Sequence, residues 1–258
     1  MDVFMNLDPM FLAQLKAGDY VGFTFFIGSM AMSAAAVFFF MQMYNVDGKW
    51  RTSMLVSGLI TFIAAVHYFY MRDFWATYQA SPTEFRYIDW ILTVPLMCVE
   101  FYLILRAFGA KMGLLWKMIG YSLLMLVAGY LGETIYRDQS VLWGFISTIG
   151  YALIFFEVWF GSAKKLSQNS NDPILQKAFN TLGWFIFAGW AIYPIGYMTI
   201  DTGWLAGVIP GESMDIIYNI GDAVNKIGFG LVIYSLAVQS SKANAAKVGA
   251  STEASVGA

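Results

Sequence analysis

Lys226 lies at the centre of the last long apolar stretch of the chain, with Asp222 four residues before it. A lysine in the middle of a membrane helix costs about 2.5–3.5 kcal/mol on insertion scales. A carboxylate at i−4 shares its helix face. A desolvated lysine gives up its proton readily and then attacks an aldehyde. One chemistry for the pair is therefore attachment of a carbonyl chromophore at Lys226, with Asp222 as counterion to the cationic imine. The other is a plain ion pair between helices. Snorkelling to the surface is disfavoured, because Lys226 stands about two turns or more from either end of its run.

A second set of polar residues interrupts the third apolar stretch. Asp89 and Thr93 are four apart, and Glu100 follows Asp89 by eleven. Eleven residues at about 100° each return to within about 20° of one face and climb about 16 Å. Two carboxylates thus share a face at different depths, and Arg86 stands one turn outside Asp89. A buried carboxylate resists ionisation unless a cation is close. That suits an ionised Asp89 opposite an imine cation and a protonated Glu100 in an apolar setting, the arrangement of a proton relay. Interhelical hydrogen bonds that only hold a bundle together are the alternative. His67 is the single histidine; it is either a satisfied interior side chain or a hydrogen-bond partner of Asp89. Trp190, Tyr193 and Tyr197 fall on one face of the sixth stretch. With Trp90 they could sandwich a polyene, although such stripes also serve as ordinary core.

These residues need a membrane bundle to position them. The chain of 258 residues is 59% hydrophobic and 12% charged, against about 25% charged in soluble domains. Seven apolar runs are long enough to span about 30 Å of hydrocarbon, near 19–44, 52–71, 82–108, 113–131, 141–161, 173–200 and 214–238. The expected fold is an all-α membrane protein, a seven-transmembrane-helix bundle. Ser81-Pro82-Thr83-Glu84 predicts an N-cap, a first-turn proline and a capping-box glutamate for the third helix. Asp172-Pro173 opens the sixth in the same way. Pro95 and Pro194 are expected to kink their helices. Ten of the fifteen Lys and Arg residues fall on one side, Lys49, Lys111 and Lys164 among them. The positive-inside rule then puts the N-terminus outside and the C-terminus in the cytoplasm. The expected organisation is an extracellular segment 1–18, a bundle 19–238 and a disordered Ala/Ser/Gly/Lys-rich tail 239–258. The opening lacks the basic region and cleavage site of a signal peptide. Cys98 is the one cysteine, which excludes an internal disulfide. No metal-ligand cluster, phosphate-binding loop or repeat is present, and no nucleic acid is among the expected partners.

The motifs resemble a known family. Arg86-Tyr-Ile-Asp-Trp-Ile-Leu-Thr-Val-Pro95, Gly189-Trp-Ala-Ile-Tyr-Pro-Ile-Gly-Tyr197, Tyr218-Asn-Ile-Gly-Asp-Ala-Val-Asn-Lys-Ile-Gly-Phe-Gly230 and Val66-His-Tyr-Phe-Tyr-Met-Arg72 resemble the signatures of microbial rhodopsins, and more closely proteorhodopsins. The resemblance implies all-trans retinal bound to Lys226 as a protonated Schiff base. It implies Asp89 as primary counterion and proton acceptor, Asp222 as secondary counterion, and Arg86 as the arginine below them. Glu100 matches the cytoplasmic proton donor, His67 the partner of the acceptor, and Thr93 the threonine between acceptor and donor. Trp90, Trp190, Tyr193, Pro194 and Tyr197 match pocket positions, with Ser147 and Thr148 at the ionone end. Met97 matches the colour-tuning position, where an apolar residue goes with green absorption.

Within that family the triplet Asp89, Thr93, Glu100 matches proton pumps. Sodium pumps carry Asn, Asp and Gln there, and chloride pumps lack the acceptor carboxylate. The expected function is a light-driven outward proton pump, not an enzyme, in a bacterial inner (plasma) membrane. Its expected partners are lipid, protons and copies of itself in a pentamer or hexamer. A sensory photoreceptor of the same fold is the alternative. Phe26 stands where many relatives have a tryptophan near the histidine.

Overall fold

Two helix starts are fixed by side-chain caps. The Asp19 carboxylate accepts the Gly22 amide at 2.8 Å, capping α1 (Tyr20–Gln42), and also the Trp75 indole N–H at 2.9 Å, which ties α1 to α2 (Gly48–Tyr78). Asp172 caps α7 (Pro173–Trp184) by accepting the amides of Ile174 and Leu175, with Pro173 in the first turn, as its sequence predicts. The capping box expected for α3 (Thr83–Arg106) does not form. Pro82 takes the cap position, and the Ser81 hydroxyl donates instead to Asp215 at 2.7 Å. With Pro82 at φ −81°, ψ 55° the helix starts one residue later than the box requires, which leaves Ser81 outside the cap position.

The computed structural model describes residues 17–256, and among them every regular element is helical. The other elements are α4 (Met112–Tyr130), α5 (Ser140–Trp159), the short α6 (Ser162–Asn169), α8 (Ile192–Met198) and α9 (Gly211–Val256). The helices pack in a ring, α1 to α5 in chain order, with α7 and α8 between α5 and α9, and α9 closing onto α1. The inner faces carry the buried residues, while Ile27, Leu92, Phe145, Phe156 and Val224 point outward exposed. In a bilayer those side chains meet lipid, which rewards them as a soluble surface would not. Six helices are long and apolar enough to cross a membrane.

The remaining crossing is made in two pieces. Between α7 and α8 the helix widens into a π turn over Phe185–Gly189. The Tyr193 amide, which would meet the Gly189 carbonyl in an α register, bonds the Trp190 carbonyl instead at 3.1 Å, and Pro194 has no N–H to offer. Asn225 of α9 supplies one from its side-chain amide at 3.0 Å. A Cβ at residue 189 would collide with that amide, so glycine is required there. α3, by contrast, runs on through Pro95.

The segment 239–258, expected as a disordered tail, continues α9 as helix to Val256. Alanines at 243, 245, 246, 250 and 254 favour helix, and extending an existing helix needs no new nucleus. Asp47 pins this extension: its amide donates to Ser241 at 2.9 Å, and its carboxylate accepts from Asn244 at 2.8 Å. The expected extracellular segment 1–18 falls almost wholly outside the described residues.

Candidate functional site

Lys226 is buried where α9 faces α3. Its Nζ donates to Asp89 Oδ2 at 2.6 Å and to Asp222 Oδ2 at 2.5 Å. All three side chains are 3% exposed or less. Asp222 also accepts from two phenols, Tyr193 at 2.8 Å and Tyr68 at 3.1 Å. Each carboxylate is held by charge-assisted bonds, which are about twice as strong as neutral ones. One cation between two anions leaves the cluster short of positive charge, and Asp89 Oδ1 accepts no hydrogen bond.

Two expected partners of this cluster stand off from it. Arg86 turns to the start of α9, where its Nη2 donates to Asp215 at 2.8 Å and Asn219 at 2.9 Å. Its guanidinium lies over the rings of Phe25 and Tyr218, each at 5.2 Å. His67 Nδ1 sits 3.8 Å from Asp89 Oδ1, beyond hydrogen-bond range. The same nitrogen meets the Ile63 carbonyl one turn back at 2.9 Å. Thr93 donates to the Asp89 backbone carbonyl at 2.8 Å rather than to a carboxylate.

Glu100 lies on α3, fully buried, away from any cation. One oxygen accepts the Ser57 hydroxyl at 2.8 Å, and the other has no partner. An apolar surround and a single hydroxyl suit a neutral carboxylic acid, which can donate the proton it carries.

A cavity of about 180 Å³ opens beside the charged cluster. Trp90, Trp190, Tyr193, Pro194, Tyr197, Ser147 and Thr148 all lie on its wall. Wall and cluster are joined through two rings: Trp90 follows Asp89 in sequence, Tyr193 holds Asp222, and they pack edge to face at 5.0 Å. The Ser147, Thr148 and Tyr197 hydroxyls all donate to backbone carbonyls, which leaves the wall largely apolar. Met97 is not on the wall; it is buried one turn along α3 from Val94, which is. A second, polar vestibule of about 560 Å³ lies at the α2–α3 end, with Ser81, Glu84, Glu133, Arg137, Asp201 and Asp215 around it.

The remaining site residues differ in how far the sequence marks them. Asp215, Asn219, Asp222 and Lys226 recur at i, i+4, i+7 and i+11, one polar face of α9. Ser57 and Tyr68 lie on the inner face of α2. Glu133 sits in a π turn over Leu131–Ile135, after α4, and no periodicity marks it.

The family model for bacteriorhodopsin-like proteins matches residues 19–240. A green-light absorbing proteorhodopsin from Gamma-proteobacterium EBAC31A08 is 45% identical over 243 residues, covering 90% of this chain and 94% of the relative. Among solved structures, blue light-absorbing proteorhodopsin from Med12 is 39% identical with a TM-score of 0.73, covering 86% of this chain and 99% of that one. Xanthorhodopsin, a light-driven ion pump with dual chromophore, is 30% identical with a TM-score of 0.76, covering 90% of this chain and 98% of that one. That agreement runs along nearly the whole chain, and the chain belongs to the bacteriorhodopsin-like family.

Proposed function

We propose that the protein is a light-driven outward proton pump with retinal, in the all-trans form, carried on Lys226. The observation that carries this reading is the placement of Lys226 Nζ within 2.6 Å of Asp89, on the same helix that buries Glu100. The residues fit the chromophore: a buried amine at the charged cluster adjoins an aromatic cavity, and Trp90 Nε1 on its wall has no hydrogen-bond partner. Retinal bound at Lys226 Nζ supplies light absorption and a light-induced change in proton affinity at that nitrogen.

The protein supplies direction. Asp89 stands within hydrogen-bond reach of Nζ and is the acceptor. Asp222, fixed by Tyr193 and Tyr68, remains as a charge and compensates the lysine nitrogen when Asp89 is neutralised. Arg86, tied to Asp215 and Asn219, places positive charge on the vestibule side of the acceptor. Glu100 holds a proton eleven residues further along α3 and returns it toward Lys226. The Trp90 and Tyr193 rings, packed edge to face at 5.0 Å, line the cavity beside the cluster. With Lys49, Arg51, Lys111 and Lys164 in the cytoplasm, transport runs from Glu100 toward the vestibule, out of the cell. The chain then sits in a bacterial inner membrane, and a pentamer or hexamer is the assembly we expect.

Illuminating a cell suspension tests this. The medium should acidify, a protonophore should abolish the change, and Asp89→Asn should lose it. A coloured protein without acidification would favour the sensory alternative. Bleaching by hydroxylamine under light reports the lysine linkage separately.

A further inference from the structure

One part of the outer surface combines aromatic rings with charge. Phe160, Trp159, Trp184, Phe187 and Phe155 form an unbroken ladder of rings across α5 and α7, with centroids 5.4–6.1 Å apart. Phe160, Trp184 and Phe187 are exposed. Lys164 of α6 stands over the Trp159 end of the ladder, its Nζ 5.6 Å from the ring centroid. The same Nζ donates to Asn180 of α7 at 2.7 Å. An ammonium has three N–H groups, so two remain for an outside acceptor.

α7 repeats this order of charge and ring. Lys177 precedes Trp184 by seven residues, which places it within about 20° of the same helix face and about 10 Å nearer the loop. The headgroup zone beside the hydrocarbon is roughly 5–8 Å deep. Lys164 and Lys177 therefore reach headgroup level when the two indoles sit at the boundary, where tryptophan is enriched. Phe155 and Phe187, one turn further in, then lie among acyl chains.

The charge at this end is lopsided. Among the described residues, Lys164, Lys165 and Lys177 pair with no carboxylate within 4.0 Å. Glu157 is taken up by Lys117, Ser162 and the Ala163 amide, and Asp172 caps α7. Both neighbouring acids are thus engaged, and the lysines are left to face an external anion.

We propose that this face binds an anionic phospholipid. Lys164 and Lys177 hold its phosphate, Lys165 adds charge, and its acyl chains lie along the ring ladder. The rings favour a ligand with chains over free phosphate, because covering apolar surface stabilises only the former. Basic clusters at one end of a membrane bundle bind anionic headgroups in this way. The site needs the bundle in a bilayer and nothing of the light reaction, so it stands apart from the pump reading.

The test uses the full chain, supplied with retinal, in nanodiscs of phosphatidylcholine with a minority of phosphatidylglycerol, which is anionic. Native mass spectrometry counts the lipids that stay on the protein. Wild type should retain phosphatidylglycerol at least tenfold above its share in the disc. Lys164→Gln with Lys177→Gln should cut that preference at least fivefold, whereas Lys242→Gln with Lys247→Gln on α9 should not. No preference in wild type, no loss in the first double variant, or an equal loss in both double variants overturns the proposal. Brominated acyl chains quench nearby indoles. Trp159→Phe with Trp184→Phe should therefore abolish the excess quenching by brominated phosphatidylglycerol over brominated phosphatidylcholine; excess quenching that persists places the lipid elsewhere and refutes the site. Inorganic phosphate that displaces phosphatidylglycerol at equal concentration would make this a free-anion site and also refute it. Should the first double variant fail to fold by circular dichroism, Lys177→Gln alone must lose at least twofold, and an undiminished preference sinks the inference.

Discussion

Tyr193 donates its hydroxyl to Asp222 at 2.8 Å while its ring forms part of the cavity wall. One side chain therefore sets both the shape of the cavity and the position of a charge. A hydrogen bond to an ionised group is worth about 1.5–3 kcal/mol, and the aromatic contact with Trp90 does not depend on the hydroxyl.

Tyr193→Phe should keep the pigment but lower its thermal bleaching midpoint, on the order of 5 °C for a chain of this size. The absorption maximum should move as well, since Asp222 loses one of its two phenol donors. An unchanged midpoint and spectrum would show that the bond contributes nothing.

Lys226→Ala should give no visible band with added retinal. It should also destabilise the protein without chromophore, because two buried carboxylates lose their cation. Breaking a buried pair costs about 3–5 kcal/mol. Adding Asp222→Asn should recover part of that loss, measured by circular dichroism melting. A double variant no more stable than the single would mean the carboxylates are already neutral there.

Glu100→Gln should leave the colour nearly unchanged, since Glu100 lies eleven residues along α3 from Asp89. Proton uptake from the Glu100 side should slow by at least tenfold, read with an indicator dye after a flash. Ser57→Ala should have a smaller effect, because it removes one hydroxyl and leaves the acid in place. Normal uptake in Glu100→Gln would remove Glu100 from the donor role.

Met97→Gln should shift the visible band to the blue by tens of nanometres, on the order of a few kcal/mol in excitation energy. A thioether carries little dipole, whereas an amide aimed at the ground-state charge lowers that state more than the excited one. Met97 continues the α3 face of Trp90 and Val94, both on the cavity wall. Superimposable spectra at alkaline pH would show that it only fills space.

The membrane bundle was legible because its signal is long: some twenty apolar residues cannot be mistaken for a turn. The charged cluster was legible because polar residues stand out on such a background, and Lys226, Asp222, Asp89 and Glu100 each did. What the sequence left hidden depended on direction rather than type. Arg86 has acidic residues within reach on several helices, and only the packing decides that it takes Asp215 and Asn219. Ser81 is a competent cap, but the helix starts one residue later and its hydroxyl goes to Asp215. Glu133 sits in a connection, where neither a 3.6-residue nor a two-residue period applies. The sixth crossing looked like one kinked helix; that Asn225 reaches over to complete its break required the partner helix to be in place.

The pairing of Asp89 with Lys226 spans 137 residues of chain, which has a consequence for biosynthesis. At about 5–20 residues per second, the third helix is made on the order of ten seconds before its cation. During that interval α3 must enter lipid with Asp89 and Glu100 as uncharged acids, because a lone carboxylate in hydrocarbon is costly. Arrival of the last helix lets Asp89 ionise against the incoming ammonium, so the final insertion step both closes the ring and charges it. A nascent chain truncated before residue 226 would carry every carboxylate of the site and no means of using them.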